Sequence, residues 1–331
     1  RRYRAGGLAA LEDRSRRPHT SPARTDAALE ARIVAQRDTT GWGGRTLHYW
    51  LRDTVQIADP PAPSTITAIL HRHDRITADP PPPRPFVRFE HPVPNALWQL
   101  DYMGHRPLVR GRVHPLTLLD DHSRFGLVLA ACANEREATV LPLLTAAFAR
   151  YGLPQAVLCD NGPPWGASGA GGLTALQAWL IRLGIRLIHG RPRHPQTQGK
   201  LERWHRTIGR GVFGPAPLPD LAAAQTAFDR FRDHDTTARP HLALDGAVPA
   251  SRYRPSPRPF PARLPEIVYD ENATVVRVRQ KGEITFHGRR VFISGGLAGQ
   301  PVGIEPTTTD GVFIVRFCQQ PVTTIDLRHP S

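Results

Sequence analysis

Cysteine, methionine and lysine are scarce in this 331-residue chain. The three cysteines, Cys132, Cys159 and Cys318, stand far apart and no C-x-x-C occurs. That excludes a disulfide framework and a thiolate zinc site, and a reducing cytoplasm fits. Long apolar runs are missing too. None approaches the ~18 residues of a membrane span, and the N-terminus has no signal-peptide core, so no membrane partner is expected. No solenoid repeat is present. Acids are outnumbered, 29 Asp and Glu against 43 Lys and Arg, a net charge of +14. An excess of that size calls for a polyanionic partner, most simply nucleic acid, and a place beside the nucleoid. Only Lys200 and Lys281 are lysines. Arginine in their stead, with abundant Ala and Pro, reflects a GC-rich genome, so the net charge alone carries the inference.

Hydrophobic residues make up 40% of the chain, enough for a real core, and the length fits two or three domains. Two proline-rich stretches, ADPPPPRPF (78–86) and RPSPRPFPARLP (254–265), read as semi-rigid linkers. They divide the chain into residues 1–78, a linker at 79–85, residues 86–253, a linker at 254–265 and residues 266–331. The first part is all-α. DAALEARIVAQR (26–37), GRTLHYWLR (44–52) and TITAILHR, with Ser64 as its N-cap, carry apolar residues at helical spacing. Short helices with tight connections suit a helix-turn-helix, its last helix showing Thr65, Thr67, His71 and Arg72 outward to DNA. A helical bundle without a DNA role is the alternative.

The middle part alternates strands and helices. A strand at 97–102 is followed by a hairpin over HPLTLLDDHSRFGLVLAAC (114–132) and by a helix capped by Asn134, with Glu137 as capping-box partner, that stops at Gly152. Then come the strand QAVLCD, a helix over 173–184, the strand IRLI and a helix from Lys200. This is α/β: a mixed sheet covered by helices. The last part changes period to two. Six short β-rich segments between Gly, Asp and Pro predict a small, SH3-like β-barrel.

Three acids occupy comparable places. Asp101 lies at the end of the first strand, Asp160 follows VLC, and Glu202 sits in the first turn of the last helix. Strand ends and helix starts can share one rim of an open sheet, and convergent carboxylates repel unless a cation joins them. Hard oxygen donors select Mg²⁺ or Mn²⁺, and two such ions would clamp an in-line phosphoryl transfer. A lone acid at a strand end is more commonly a turn or helix cap; the triple in a basic protein is what carries weight. Asp120 and Asp121 are rival ligands, but their DDHSR setting reads as a structural turn. His194 and His205 are candidate ligands or proton carriers, although a histidine beside phosphate-binding arginines is more commonly a contact. On the last helix Leu201, Trp204 and Ile208 form a buried stripe, while Lys200, Arg203, Thr207 and Arg210 form a basic one. Glu202 and Arg206, four apart, also suit a surface ion pair.

Taken in order, LWQLDYMG, LTLLDDHSRFGL, YGLPQAVLCDNGPPW and RPRHPQTQGKLERWHRT resemble the integrase-core transposases of bacterial insertion sequences, in the retroviral-integrase superfamily. RPHLALDGAVPASRYRPSPRPFP and the β-rich end continue the resemblance, and LAALEDRSRRPH and GWGGRTLHYWL look like the family's tandem helix-turn-helix region. The resemblance implies a ribonuclease-H-like core and an Asp-Asp-Glu triad of Asp101, Asp160 and Glu202. It also implies Mg²⁺-dependent cleavage at transposon ends, strand transfer by the freed 3′ hydroxyl into target DNA, and a homo-oligomer on double-stranded DNA. Lys200, Arg203 and Arg206 would seat DNA, and Asn161, Gln196 and His205 would contact it or orient the triad. Met103 stands where such enzymes often carry Lys. HDTTARPH (234–241) lacks the usual Tyr-Asn, and the chain begins partway through the first helix-turn-helix, from which impaired end recognition is expected. The alternatives are a catalytically silent relic acting as a repressor and a ribonuclease-H-type nuclease.

Overall fold

The computed structural model describes residues 2–8, 24–76, 90–160, 162, 164–166, 172–189 and 199–328. The linker expected at 79–85, Asn161, His194 and Gln196 lie outside them. The chain divides into two compact units, Arg1–Pro81 and Pro82–Ser331. No helix among the described residues is long and apolar enough to cross a membrane.

The first unit holds a short α1 (Arg2–Gly6), then α2 (Ala27–Thr40), α3 (Gly44–Asp53) and α4 (Pro63–Arg72). Asp26 caps α2 through the Ala28 and Leu29 amides, and Gly41 ends it at φ 70°. Ile33, Leu47, Trp50, Leu51, Ile66, Ile69 and Leu70 form the core. Two expectations for α4 are corrected. Its N1 residue is Pro63, with Ala62 rather than Ser64 at the cap, because proline's fixed φ suits a first helical turn. Thr67 faces inward, its hydroxyl donating to the Pro63 carbonyl and packed against Gly44, where a side chain would collide with it. Arg72 also has an intramolecular task. It pairs at 2.6 Å with Glu30, which is only 4% exposed. Burial pushes the Glu30 carboxyl up, but the hydrogen bonds from Arg72 and His73 bring it below its ordinary value. Thr65 and His71 remain exposed.

The second unit is built on a sheet of β1 (Trp98–Tyr102), β2 (Arg106–Pro107), β3 (Arg112–Asp120), β4 (Gly126–Cys132), β5 (Ala156–Cys159) and β6 (Arg186–His189). Its main order is β4-β3-β1-β5-β6, with β2 adding a short rung at the start of β3. The β1–β3 and β3–β4 ladders are antiparallel, and the β1–β5 and β5–β6 ladders are parallel. Hence β1, β4, β5 and β6 all run the same way and their C-terminal ends share one rim. This is the ribonuclease-H-like arrangement. One face of the sheet is covered by α5 (Glu137–Tyr151) and α6 (Ala175–Arg182), around Trp98, Leu116, Leu118, Phe148 and Leu180. The other is covered by α7 (Gly199–Val212) and α8 (Leu221–Thr237), around Val113, Leu119, Leu129, Trp204, Ile208 and Phe228. Asn134 is not the N-cap of α5, which starts later. Its carboxamide accepts from the Arg136 amide and the Thr139 hydroxyl, making a turn ahead of the helix.

The DDHSR turn is structural. Asp120 and Asp121 are fully buried. Asp120 accepts from the Asn95 and Ser123 amides and from the Ser123 hydroxyl. Asp121 accepts from the His91 amide and the Gln99 side chain, and pairs with Lys200 at the start of α7. Residues 254–265, expected to be a linker, instead begin as a strap on the core. The Ser256 amide donates to Tyr151, Arg258 donates to the Pro154, Leu183 and Gly184 carbonyls, and Phe260 packs into the core. Gly152 admits the strap, since a Cβ there would lie 2.7 Å from the Ser256 and Arg258 carbonyl oxygens.

After the short α9 (Pro249–Arg252) come β7 (Thr274–Arg277), β8 (Glu283–Phe286), β9 (Arg289–Phe292), β10 (Pro301–Pro306), β11 (Val312–Phe317) and β12 (Gln320–Asp326). They pair as a four-stranded antiparallel sheet and a two-stranded one. Their shared core also takes in Ala178 and Ile181 of α6, and Ser294 bonds the backbone of Leu173 just before that helix.

The α7 helix sits on β4 through a close approach. A Cβ at Gly126 would lie 2.6 Å from the Trp204 ring. Gly126→Val is therefore expected to destabilise the fold by about 1–3 kcal/mol, read as a lower urea midpoint with unchanged m. Adding Trp204→Leu is expected to recover part of that loss.

Candidate active site

The rim collects the residues at and just past each strand end. The β1–β5 register pairs Trp98 with Val157 and Gln99 with Leu158. Carried on at the same offset, it puts Asp101 and Asp160 at matching positions on adjacent strands, about 5 Å apart in the hydrogen-bonding direction. Burial pushes the Asp101 carboxyl up to about 7, and the charges of Asp160, Glu135 and Glu202 add to the effect, against the Tyr102 amide that donates to it. Asp160 is raised in the same sense, first by burial and then by Glu135, while the Gly162 amide and His189 oppose the shift. Gly162 has no side chain for a reason: a Cβ there would come to 3.2 Å from Asp160 Oδ2.

Glu202 lies one turn into α7 and is exposed. Its charge reaches Asp101, yet among the described residues no three His, Cys, Asp or Glu side chains stand close enough to hold a metal ion. The aspartates are neighbours; Glu202 is near but not gathered in with them. All the carboxylates are hard donors. Two thiols stand nearby: Cys159 is pushed up to about 12 by burial and by the two aspartates, and Cys132 is raised by burial, so neither offers a thiolate.

Two residues at the rim escaped the sequence reading. Glu135 follows β4 and pairs with His114 at 2.8 Å. His189 ends β6. Its Nδ1 lies 3.1 Å from the Asp160 carbonyl and its Nε2 lies 3.0 Å from Gln177 Nε2. Because a carbonyl only accepts and that amide nitrogen only donates, Nδ1 carries the proton. Gln177 belongs to the capping box of α6 with Thr174. The signal that would have found both is the strand-end rule that singled out Asp160, applied to every strand that runs the same way, β4 included.

The α7 cations divide. Leu201, Trp204 and Ile208 are its buried stripe. Lys200 leaves the expected basic stripe, because its ammonium pairs with the buried Asp121. Arg203, Arg206 and Arg210 are exposed. Arg206 and Arg210 line an open groove with Met103, Arg106 and Phe213, and the Arg106 guanidinium lies 5.8 Å from the Phe213 ring centre. His205 is half-buried in the wall of the same groove. It bonds the Thr117 hydroxyl at 2.7 Å, and burial pushes its imidazole down to about 4, so it is neutral at physiological pH.

Family models match the chain in four stretches. They are a homeodomain-like domain at 1–70, an integrase core domain at 91–195 and again at 183–249, and the C-terminal domain of IS481 family transposases at 273–331. The chain is an integrase-core transposase. It is a polynucleotidyl transferase of the DNA transposase and integrase kind. The transposase is 26% identical to an uncharacterised 39.2 kDa protein of insertion element IS476 from Xanthomonas euvesicatoria, over 76% of this chain and 71% of that one. It is 31% identical to the Gag-Pro-Pol polyprotein of squirrel monkey retrovirus over 38% of its length, but spans only 6% of that polyprotein. Among solved structures it is similar to the simian T-cell lymphotropic virus intasome in complex with a PP2A regulatory subunit, at 17% identity and a TM-score of 0.43, covering 89% of this chain and 96% of that one. It is also similar to the HTLV-2 integrase catalytic core domain in complex with magnesium, at 15% identity and a TM-score of 0.39, covering 49% of this chain and 99% of that one.

A carboxyl held near 7 in the fold but near 4 when unfolded binds its proton more tightly in the native state, so its ionisation costs stability as pH rises from about 4 to 7. Asp101→Asn removes that cost. In EDTA the variant is expected to unfold later than the parent, with a gap larger at pH 8 than at pH 5 and of the order of a few kcal/mol at most. Chemical unfolding of both proteins at the two pH values measures it. A parent protein more stable than the variant at pH 8 would contradict the assignment.

Proposed function

We propose that this transposase cleaves DNA at transposon ends and joins the freed 3′ hydroxyl to target DNA, with Asp101, Asp160 and Glu202 holding two Mg²⁺ or Mn²⁺ ions. The observation that carries the reading is the pair of aspartates on adjacent strands, both with raised carboxyls, Asp101 being within reach of Glu202's charge. Such a site is poor in positive charge where the surrounding protein is rich in it, and its donors are oxygens. A hard divalent cation fits that donor set. When bound, the ions supply activation of the attacking oxygen and stabilisation of the leaving one.

The protein's own part is placement. Glu202, exposed at the start of α7, is the one of the three carboxylates with room to adjust. Gly162 and His189 fix Asp160 from two sides. Arg203, Arg206 and Arg210 point a positive face toward phosphates, and Arg106 extends it across the groove. Asn161 and Gln196, in the segments that flank Asp160 and α7, would contact the same DNA. The helix-turn-helix unit reads terminal repeats, with Thr65 and His71 facing out, and the enzyme assembles as a homo-oligomer on paired ends.

A labelled end oligonucleotide with a supercoiled target and Mg²⁺ tests the triad. Asp160→Asn and Glu202→Gln are each expected to lower cleavage and joining by roughly a thousandfold or more while end binding persists. Joining that survives Glu202→Gln would remove Glu202 from the site. Arg206→Ala is expected to weaken binding to all sequences alike and to reduce the slope of log affinity against log salt by about one.

A further inference from the structure

Thr117 is fully buried in the middle of β3, opposite Asp101. A buried hydroxyl has one proton to give and must find partners. Thr117 Oγ1 lies 2.8 Å from the Asp101 carbonyl oxygen and 2.7 Å from His205 Nε2. The carbonyl has no proton, so the hydroxyl donates to it. The imidazole must then donate to the hydroxyl, which assigns the Nε2–H tautomer and leaves Nδ1 bare. The result is a directed relay from α7 to β1: His205 Nε2–H to Thr117 Oγ1–H to Asp101 C=O.

His205 stands three residues after Glu202, on the same side of α7. One end of the relay is therefore the backbone of the first carboxylate, and the other is one turn from the third. The remaining anchors of α7 do not serve this purpose. Lys200 ties its start to Asp121, and Trp204 Nε1 donates to Asp235 on α8 at 3.0 Å. Those contacts hold the helix to the turn after β3 and to its neighbouring helix. Lys200 reaches β1 only near its start, through Asp121 and Gln99, whereas the His205–Thr117 pair refers α7 to the Asp101 position itself.

We propose that His205 and Thr117 are positioning residues, which set the spacing between Glu202 and Asp101 through this two-bond relay and so prepare the carboxylates to share a cation. Of the two tasks expected of His205, the proposal takes orienting the triad rather than contacting DNA, and it rests on Asp101 and Glu202 acting in one site. Neither side chain touches DNA or the reacting atoms in this role; both act through the acids they hold.

The test compares Thr117→Val, which keeps shape but loses the hydroxyl, with Thr117→Ser, which keeps the hydroxyl. Two readouts are used: single-turnover cleavage against end concentration, and the Mg²⁺ concentration giving half of the cation's thermal stabilisation, followed without DNA. Thr117→Val is expected to slow the maximal rate about ten- to a hundredfold, with half-saturating DNA within about twofold of the parent, and to require several times more Mg²⁺. Thr117→Ser is expected to restore both. Equal losses in Val and Ser, or a loss confined to DNA affinity with the Mg²⁺ requirement unmoved, would overturn the relay. Where Thr117→Val lowers the unfolding temperature too far, His205→Gln, which keeps a donor at similar reach, is set against His205→Leu. Equal loss in those two overturns the relay in the same way. Asp101→Asn separates this from failure of the active-site assignment: activity surviving that change removes Asp101 itself, whereas its loss alongside an unimpaired Thr117→Val removes only the relay.

Discussion

Mutual repulsion of carboxylates on one sheet rim is the constraint on which the rest of this molecule turns. Two aspartates on adjacent parallel strands, with Glu135 and Glu202 close enough to be felt, make a place where negative charge is both concentrated and poorly hydrated. A sheet of this order cannot avoid bringing those strand ends together. The fold thus creates an electrostatic debt at one spot, and the chain surrounds it with fixed partners. The Tyr102 and Gly162 amides, His189 and the Thr117 hydroxyl each touch one aspartate residue. A divalent cation would suit such a rim, and the net charge of +14 would favour a polyanionic partner beside it.

The helix carrying the third acid shows how the far face answers this need. Its apolar stripe of Leu201, Trp204 and Ile208 seats it on β3, β4 and α8, while its polar contacts determine where along the sheet it stops. Asp235 gathers Trp204, Arg239 and His241, so the HDTTARPH block anchors α7 through an ion-pair knot. The buried aspartate is held below its ordinary value; burial alone would raise it, and the hydrogen bonds and charges of His241 and Arg239 outweigh that.

Periodicity was legible wherever it followed from burial. The apolar spacing of the three N-terminal helices, the hairpin around DDHSR and the six C-terminal segments all lie where the pattern indicated. Asp160 was legible because a strand, an acid and an Asn-Gly turn follow one another. Side-chain partners across the fold were not. Nothing in the local sequence says that Lys200 belongs to Asp121, that Arg72 belongs to Glu30, or that His205 turns from solvent to a threonine on another strand. Each depends on an acid or hydroxyl dozens of residues away, buried where an unmatched group would be costly. The 254–265 stretch misled for a related reason: proline content reports stiffness, not what a stiff segment lies against.

That strap bears on how such enzymes exchange parts. Arg258 reaches three carbonyls in two connections of the core, and Gly152 is shaped to let the segment pass. Recombination that joined this catalytic region to a foreign C-terminal region at residue 253 would strip the core of its own seal. A join made after Phe260 would keep that seal, yet it would still forfeit the apolar contacts that α6 makes with the C-terminal strands.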